Sequence, residues 1–312
     1  MLSRVADTLY WLARYMERTH AMLQVIRIHY QASQDNPHDF SWRPLLYCFG
    51  GSLNPEEITG LERDTSRVLE HLILAKNNSA SAYNNVYQAR ENARAVQNHT
   101  SPEVWQCLNS FYHAIREPEL VQQICYSDPL SSIDGLLRHG LVFVGTVQTT
   151  MPRDESYGYL NLGRLLERAL QTTDIVRTQW PSVAAQLPTP DEIPQLRYLL
   201  HSLSGQELYL KTYRGDFNPD NVLHFVLHNP HFANSLDSCL NRLSWYFERL
   251  KADSLLERHE QLGVMIGRLA SHVKYSSVSA SKPDNLDGLL LHLRKELTDL
   301  AVALSKTYFG RS

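Results

Sequence analysis

The chain has 312 residues, of which 43% are hydrophobic and 20% charged, with a formal net charge of −3. A chain of that length hides roughly three quarters of its unfolded surface, so a large core is expected, and the near-neutral balance excludes a global pull toward nucleic acid or an anionic membrane. Four scattered cysteines (Cys48, Cys107, Cys125 and Cys239) form no C-x-x-C pair, which excludes a zinc knuckle or thioredoxin-like motif and reads as reduced, buried thiols in a cytoplasmic protein.

Taken in order, the chain reads as helix after helix. From Val5 the apolar residues Val5, Leu9, Leu12, Met16, Leu23, Ile26 and Tyr30 recur at steps of three and four, one face of a long helix. Ser3 is its candidate N-cap and Asn36-Pro37 its stop. The charges Arg4, Asp7, Arg14, Glu17 and Arg18 leave no apolar leader, and no stretch reaches the ~18 apolar residues that span a bilayer. After a turn at Gly50-Gly51, helices are predicted near 64–74 and 81–96, separated by Asn77, Asn78 and Ser79. Ser101-Pro102-Glu103 opens the next, with proline at the first helical position. Residues 130–149 follow; their 140–147 part, rich in Val and Phe, suits a strand by propensity, but its place in the repeat described below favours helix. A second long helix is predicted over 153–178. Thr189-Pro190-Asp191-Glu192 then forms a capping box for a helix to about 212. Further helices are predicted near 220–227, 234–250, 253–275 and 284–308, with a polar linker over 276–283.

The chain resembles itself. Leu12–Arg18 returns as Leu162–Arg168, shifted by 150 positions, and Ile133–His139 returns as Leu286–His292, shifted by 153. Between them, Val68, Leu69, Leu72 and Ser81 line up with Val222, Leu223, Val226 and Ser235, shifted by 154. Three matches in one order at nearly one offset imply duplication of a unit of about half the chain. The expected fold is all-α, a helical bundle of two tandem related halves, 1–150 and 151–312, with long first helices and packed as one globular unit.

Two groups of side chains are candidates for chemistry. Each long helix carries an Arg-x-x-Glu-Arg group, Arg14, Glu17 and Arg18 in one half and Arg164, Glu167 and Arg168 in the other. By helical phase the arginines fall opposite the apolar stripe and the glutamate at its flank. One reading is a solvated, salt-bridged face or an interhelical ion pair that fixes register. The other is a pair of anion-binding or proton-relay clusters, because the guanidinium fork holds both oxygens of a carboxylate or phosphate. Arg90, Glu91 and Arg94 form the second group; Arg90 and Arg94 lie one turn apart, and the group has no counterpart in the second half. It is either a polar helix surface or part of a single site. Metal spacing is present at Glu17/His20, but the second half has Leu170 in place of the histidine. It is present again at His224, His228 and His231, where Asn229-Pro230 is expected to break the helix. No metal and no cofactor are therefore expected. No Gly-rich phosphate loop, H-E-x-x-H or G-x-S-x-G is written in the chain, and no nucleophile can be named.

Several segments resemble the alpha-E domain family, a bacterial all-helical family. They are Met1–Asp7 with Leu9-Tyr10-Trp11, Arg14 and Glu17-Arg18; Ala89–Arg94 followed by Val104-Trp105; and Arg153-Asp154-Glu155 with Leu162-Gly163-Arg164 and Leu166–Ala169. The resemblance covers essentially the whole chain. It implies that Glu17, Arg14, Glu91, Arg94, Glu167 and Arg164 are the family's characteristic charged positions, with no catalytic role attached to any of them. Ala13 stands where the family often has glycine and Tyr157 where it often has tryptophan; neither difference removes a charge. The resemblance also implies association with an atypical ATP-grasp protein, near transglutaminase-like protease genes. The expectation is a helical accessory component of a system that makes or modifies peptide-like amide bonds. It would meet an ATP-grasp partner, or a peptide or amino-acid-like anionic substrate, through its Arg/Glu clusters. A non-enzymatic scaffold and an autonomous enzyme with a Glu/Arg site are the alternatives; neither nucleic acid nor membrane is an expected partner.

Overall fold

The computed structural model describes residues 1–35, 40–180, 193–252, 259–276 and 283–309. Among the described residues there are fifteen α-helices and no strand. The chain divides into two compact units, one of Trp11–Tyr157 and one of Met1–Tyr10 with Gly158–Ser312. The first helix, α1 (Ser3–Asp35), contributes its opening turns to the latter unit and the remainder to the former.

In the Trp11–Tyr157 unit, α1 is followed by α2 (Arg43–Phe49), α3 (Pro55–Leu61), α4 (Thr65–Leu69), α5 (Ala82–Ala95), α6 (Pro102–Ala114), α7 (Pro118–Gln122) and α8 (Pro129–Thr150). The helix starts are written in side chains. Ser81 accepts from the Asn84 amide, Ser101 from Val104 and Asp128 from Ser131, and Asn54 and Glu57 form a reciprocal capping box. Each such cap contributes about 1 kcal/mol. Pro102 and Pro129 follow their caps, where a missing N–H costs nothing. Helices α5, α6 and α8 pack in succession around Val86, Leu108, Phe111, Ile133 and Leu136, all essentially inaccessible to solvent. Phe111 stacks on His139 of α8 at 5.2 Å. An ion pair joins α1 to α8, Arg27 Nε to Asp134 Oδ1 at 2.5 Å.

The second unit contains α9 (Glu155–Gln179) from Gly158 onward, α10 (Ile193–Ser202), α11 (Gln206–Tyr213), α12 (Pro219–His228), α13 (Leu236–Ala252), α14 (His259–Lys274) and α15 (Pro283–Phe309). Helices α12 to α15 pack in chain order. Ser235 accepts from the Ser238 amide at the start of α13. Arg177 Nε of α9 reaches Asp287 Oδ1 of α15 at 2.9 Å, and Arg294 Nε of α15 reaches Asp174 Oδ1 of α9 at 2.5 Å. Gly163 is required by a close crossing: a Cβ there would lie 2.2 Å from the Tyr10 carbonyl oxygen of α1, shorter than any real contact. Tyr10 also packs on Phe309 at the end of α15, with ring centroids 5.1 Å apart.

The long helices stand where their periodicity predicts, and residues 140–147 are helical within α8. Here burial of Phe143 and Val147 on one helix face outweighs the β-propensity of the run. The helix expected to reach 212 is broken into α10 and α11. Ser204 takes φ 56 between them, and Gly205 fits against Phe225 and Phe232, whose rings stack at 4.6 Å. Helices α2, α3 and α7 were not foreseen; at five to seven residues they are too short to show a period. Two π turns, Glu70–Leu74 and Gln123–Ser127, follow α4 and α7. Ser66 Oγ donates to the Cys125 carbonyl at 2.7 Å and ties the two segments together. The expected stop at Asn36-Pro37, the capping box at Thr189–Glu192, the start of the helix from 253 and most of the polar linker lie outside the described residues. Cys107, Cys125 and Cys239 are buried and Cys48 half-buried; burial pushes the Cys107 thiol up to about 11. No helix is long and apolar enough to cross a membrane, among the described residues.

Candidate functional site

The repeated Arg-x-x-Glu-Arg groups are not on a solvated face. On α1, Arg14 and Glu17 are each 7% exposed and Arg18 is half-buried; on α9, Glu167 is 1% exposed, with Arg164 and Arg168 half-buried. The apolar stripe misleads here because both helices are covered on more than one side. On α9 every residue from Ser156 to Gly163 is buried, two full turns without an exposed position. A carboxylate taken out of water costs several kcal/mol unless its oxygens are satisfied. One such contact is local: Gln171 Nε2 donates to Glu167 Oε1 at 3.0 Å.

The two arginines that precede the glutamates by one turn are held by the residue one further turn back. The Arg14 guanidinium lies 4.4 Å from the Trp11 ring centroid, a cation–π contact of ~1–2 kcal/mol at a buried position. Arg164 Nη2 donates to Asn161 Oδ1 at 2.7 Å. Arg168 points at the Ala233 carbonyl at 3.5 Å, and Thr172 donates to the neighbouring Asn234 carbonyl at 3.0 Å, which ties α9 to the start of α13. Burial pushes the Asp174 carboxyl up, the charge of Glu167 adds to this, and Arg294 opposes it.

Arg90, Glu91 and Arg94 are brought together, as their spacing implies. Arg90 Nη1 and Arg94 Nη2 grip the two oxygens of Glu91 at 2.7 and 2.6 Å. Arg90 also donates to Asn109 Oδ1 at 2.8 Å and lies over Trp105 and Tyr112, 5.1 and 4.7 Å from their centroids. Asn109, Trp105 and Tyr112 are all on α6, so this group is a clamp between α5 and α6. Arg94, with 64% of its side chain exposed, is its solvent-facing end.

Of the histidines singled out by spacing, His224 and His228 meet, with ring centroids 5.2 Å apart, but the three do not gather into one group. Helix α12 ends at His228, before Asn229-Pro230, and leaves His231 beyond it. His224 pairs with the Tyr213 hydroxyl at 3.0 Å. Burial and the neighbouring His224 lower the His228 pKa. His20 lies against Gly140 of α8. The cluster that the fold does gather, among the described residues, is His272, His292 and Glu296 on α14 and α15. The pair His292 and Glu296 has the one-turn spacing of a shared helix face, but His272 joins them only through the packing of α14 on α15, which no spacing announces.

Glu-Arg dipeptides also occur at Glu62-Arg63 and Glu248-Arg249, and burial separates them from the copies on the long helices. Glu62 is gripped at the surface by Arg43 at 2.7 Å, and Glu248 is 58% exposed. Glu17 and Glu167 alone among these described glutamates are buried. No curated protein and no solved structure matches the chain. One family does, described as a predicted alpha-helical domain with a conserved ER motif, and the match runs over residues 1–309. Covering essentially the whole length, it establishes that the chain belongs to the Alpha-E family.

Proposed function

We propose that this Alpha-E protein is a helical accessory component of an ATP-grasp-linked system for forming or modifying peptide-like amide bonds, built from two copies of one module. The observation that carries the accessory rather than the catalytic role is the burial of Glu17 and Glu167 inside the two long helices. A general base must reach the proton it removes, and carboxylates this far removed from solvent are poorly placed to meet a substrate. Internal fastening of the bundle is the role that fits them. Arg94 is the exposed member of the candidate groups, with Arg18, Arg90, Arg164 and Arg168 half-buried, and a carboxylate-bearing partner would find its first contact at Arg94.

Side-chain pairs in each unit support the duplicated module. Arg27 meets Asp134 through Nε and Oδ1 in one unit, and Arg177 meets Asp287 through the same atoms in the other. Ser81 and Ser235 both cap a helix, and their amides donate to Asn78 and Phe232, themselves equivalent positions, at 3.0 Å in each case. Val68, Leu69 and Leu72 are as buried as Val222, Leu223 and Val226. The link to an ATP-grasp enzyme rests on the family resemblance.

The test is to mix the purified chain with an ATP-grasp protein from the same genome, and to follow co-elution on size exclusion and ligase turnover. Co-elution with changed turnover, weakened by Arg94→Glu, is expected. No association and no effect on turnover would leave the scaffold reading, which the Arg90 clamp between α5 and α6 favours in its own right.

A further inference from the structure

Helices α14 and α15 run side by side in the unit of Met1–Tyr10 and Gly158–Ser312, and one oxygen there is approached from both. Glu296 is almost fully buried. Its Oε1 takes Arg268 Nε at 3.0 Å. Its Oε2 faces His272 Nδ1 at 2.9 Å and His292 Nε2 at 3.6 Å. The three ligand-type atoms all lie within 4.8 Å of one another. The two imidazoles are about half exposed and open on a depression of about 270 Å³, which Lys295 and Asp299 also line.

We propose that His272 Nδ1, His292 Nε2 and Glu296 Oε2 form a binding site for a divalent transition metal, with zinc the favoured ion. The donor set is two nitrogens and one carboxylate oxygen, the combination zinc accepts in sites that keep a fourth position for water or substrate. Bonds of 2.0–2.1 Å in a tetrahedron put neighbouring donors about 3.4 Å apart, and the observed 2.9 and 3.6 Å separations straddle that value. The third separation, between the two imidazole nitrogens, is within 4.8 Å, so closing the tetrahedron takes a side-chain movement of up to about an ångström shared between two half-exposed rings.

Arg268 strengthens the case rather than competing for the ligand atom. By holding Oε1 it orients the carboxylate so that Oε2 points at the histidines, the part an outer hydrogen bond plays at a metal-ligating carboxylate. The two lining cations, Arg268 and Lys295, are balanced by Glu296 and Asp299, so the depression presents no net repulsion to a dication. An ordinary surface ion pair needs Arg268 and Glu296 alone; the convergence of two imidazole nitrogens on the remaining oxygen is what that account leaves over. The site is independent of the Arg/Glu groups and of the partner reading.

The experiment titrates the metal-free full chain with zinc chloride by calorimetry, and with cobalt chloride by visible absorption. It uses the parent protein, His272→Ala, His292→Ala and, as a control among the other histidines, His99→Ala. Both ligand positions are on the surface, so these variants should fold, which thermal unfolding checks. The expected result is one saturable site per chain with the intense visible bands of low-coordinate cobalt. Affinity should fall by more than about tenfold in each ligand variant and stay unchanged in the control. Absence of a saturable site in the parent, or a site that survives both His272→Ala and His292→Ala, would overturn the assignment.

Discussion

Near Trp11 the guanidinium of Arg14 lies over an indole; near Asn161 that of Arg164 donates to an amide oxygen. The two arginines are 150 positions apart and each is held by the residue three before it. One contact is a cation on a π face and the other a charge-assisted hydrogen bond. What the two long helices share is therefore not a particular partner but a requirement: a carboxylate removed from water with a cation one turn before it. Helix α1 meets it with an aromatic residue and α9 with a polar one. The same contrast appears one residue earlier, where α1 has Ala13 and α9 has Gly163 pressed against the Tyr10 carbonyl.

The largest expected effect breaks the shared requirement. Replacing Glu17 or Glu167 by alanine should cost about 3 kcal/mol or more in urea unfolding, because each is a buried charged group whose loss breaks its interactions inside the bundle, the Gln171 bond to Glu167 among them. Glu248→Ala, at an exposed Glu-Arg pair, should change stability by under ~0.5 kcal/mol. Similar small costs at all three would erase the distinction between buried and exposed copies.

A second contrast is acid sensitivity. His29 of α1 has its pKa lowered from 6.5 to about 4 by burial, with the Val25 carbonyl offsetting this in part, and its Nδ1 is inaccessible. The position 150 residues on is Gln179. A group that is neutral when folded but takes up a proton when unfolded gives its full stability above pH 6.5, loses it progressively as pH falls, and has lost it at about 4. The shift corresponds to roughly 3 kcal/mol. Unfolding midpoints between pH 7 and 4 should therefore fall less steeply in His29→Gln than in the parent. Parallel curves would show that the imidazole is not held neutral.

Gly163→Ala should cost about 2–3 kcal/mol, since the new methyl must push α1 and α9 apart at Tyr10. Ala13→Gly, the reciprocal change, should cost about 1–2 kcal/mol, from helix propensity and from the loss of a buried methyl. The smallest effect sits at the matching ion pairs. Arg27→Ala and Arg177→Ala remove partly exposed contacts and should each cost under ~1 kcal/mol, with similar values for the two. A large difference between them would argue against equivalent roles.

The helices and most of their starts were legible because apolar period and capping chemistry are local: Ser81, Ser101 and Pro102 can be read one residue at a time. Residues 140–147 needed the repeat to settle them, since their composition suits a strand. The short α2, α3 and α7 carry too few residues for a period, and the break at Ser204 depends on Phe225 and Phe232, which are remote in sequence. The Arg/Glu groups were found by self-similarity, but their burial was not. Phase on a helix reports the strongest apolar stripe and is silent on a helix covered from several directions. The His272–His292–Glu296 cluster was missed because its third member arrives through packing.

Amide hydrogen exchange across the two motif segments tests the central claim most directly. If buried Arg/Glu groups fasten both long helices, the amides of Leu12–Arg18 and of Leu162–Arg168 will exchange only through global unfolding, among the slowest in the chain. Exchange of either segment at the rates of a fraying surface helix would contradict it.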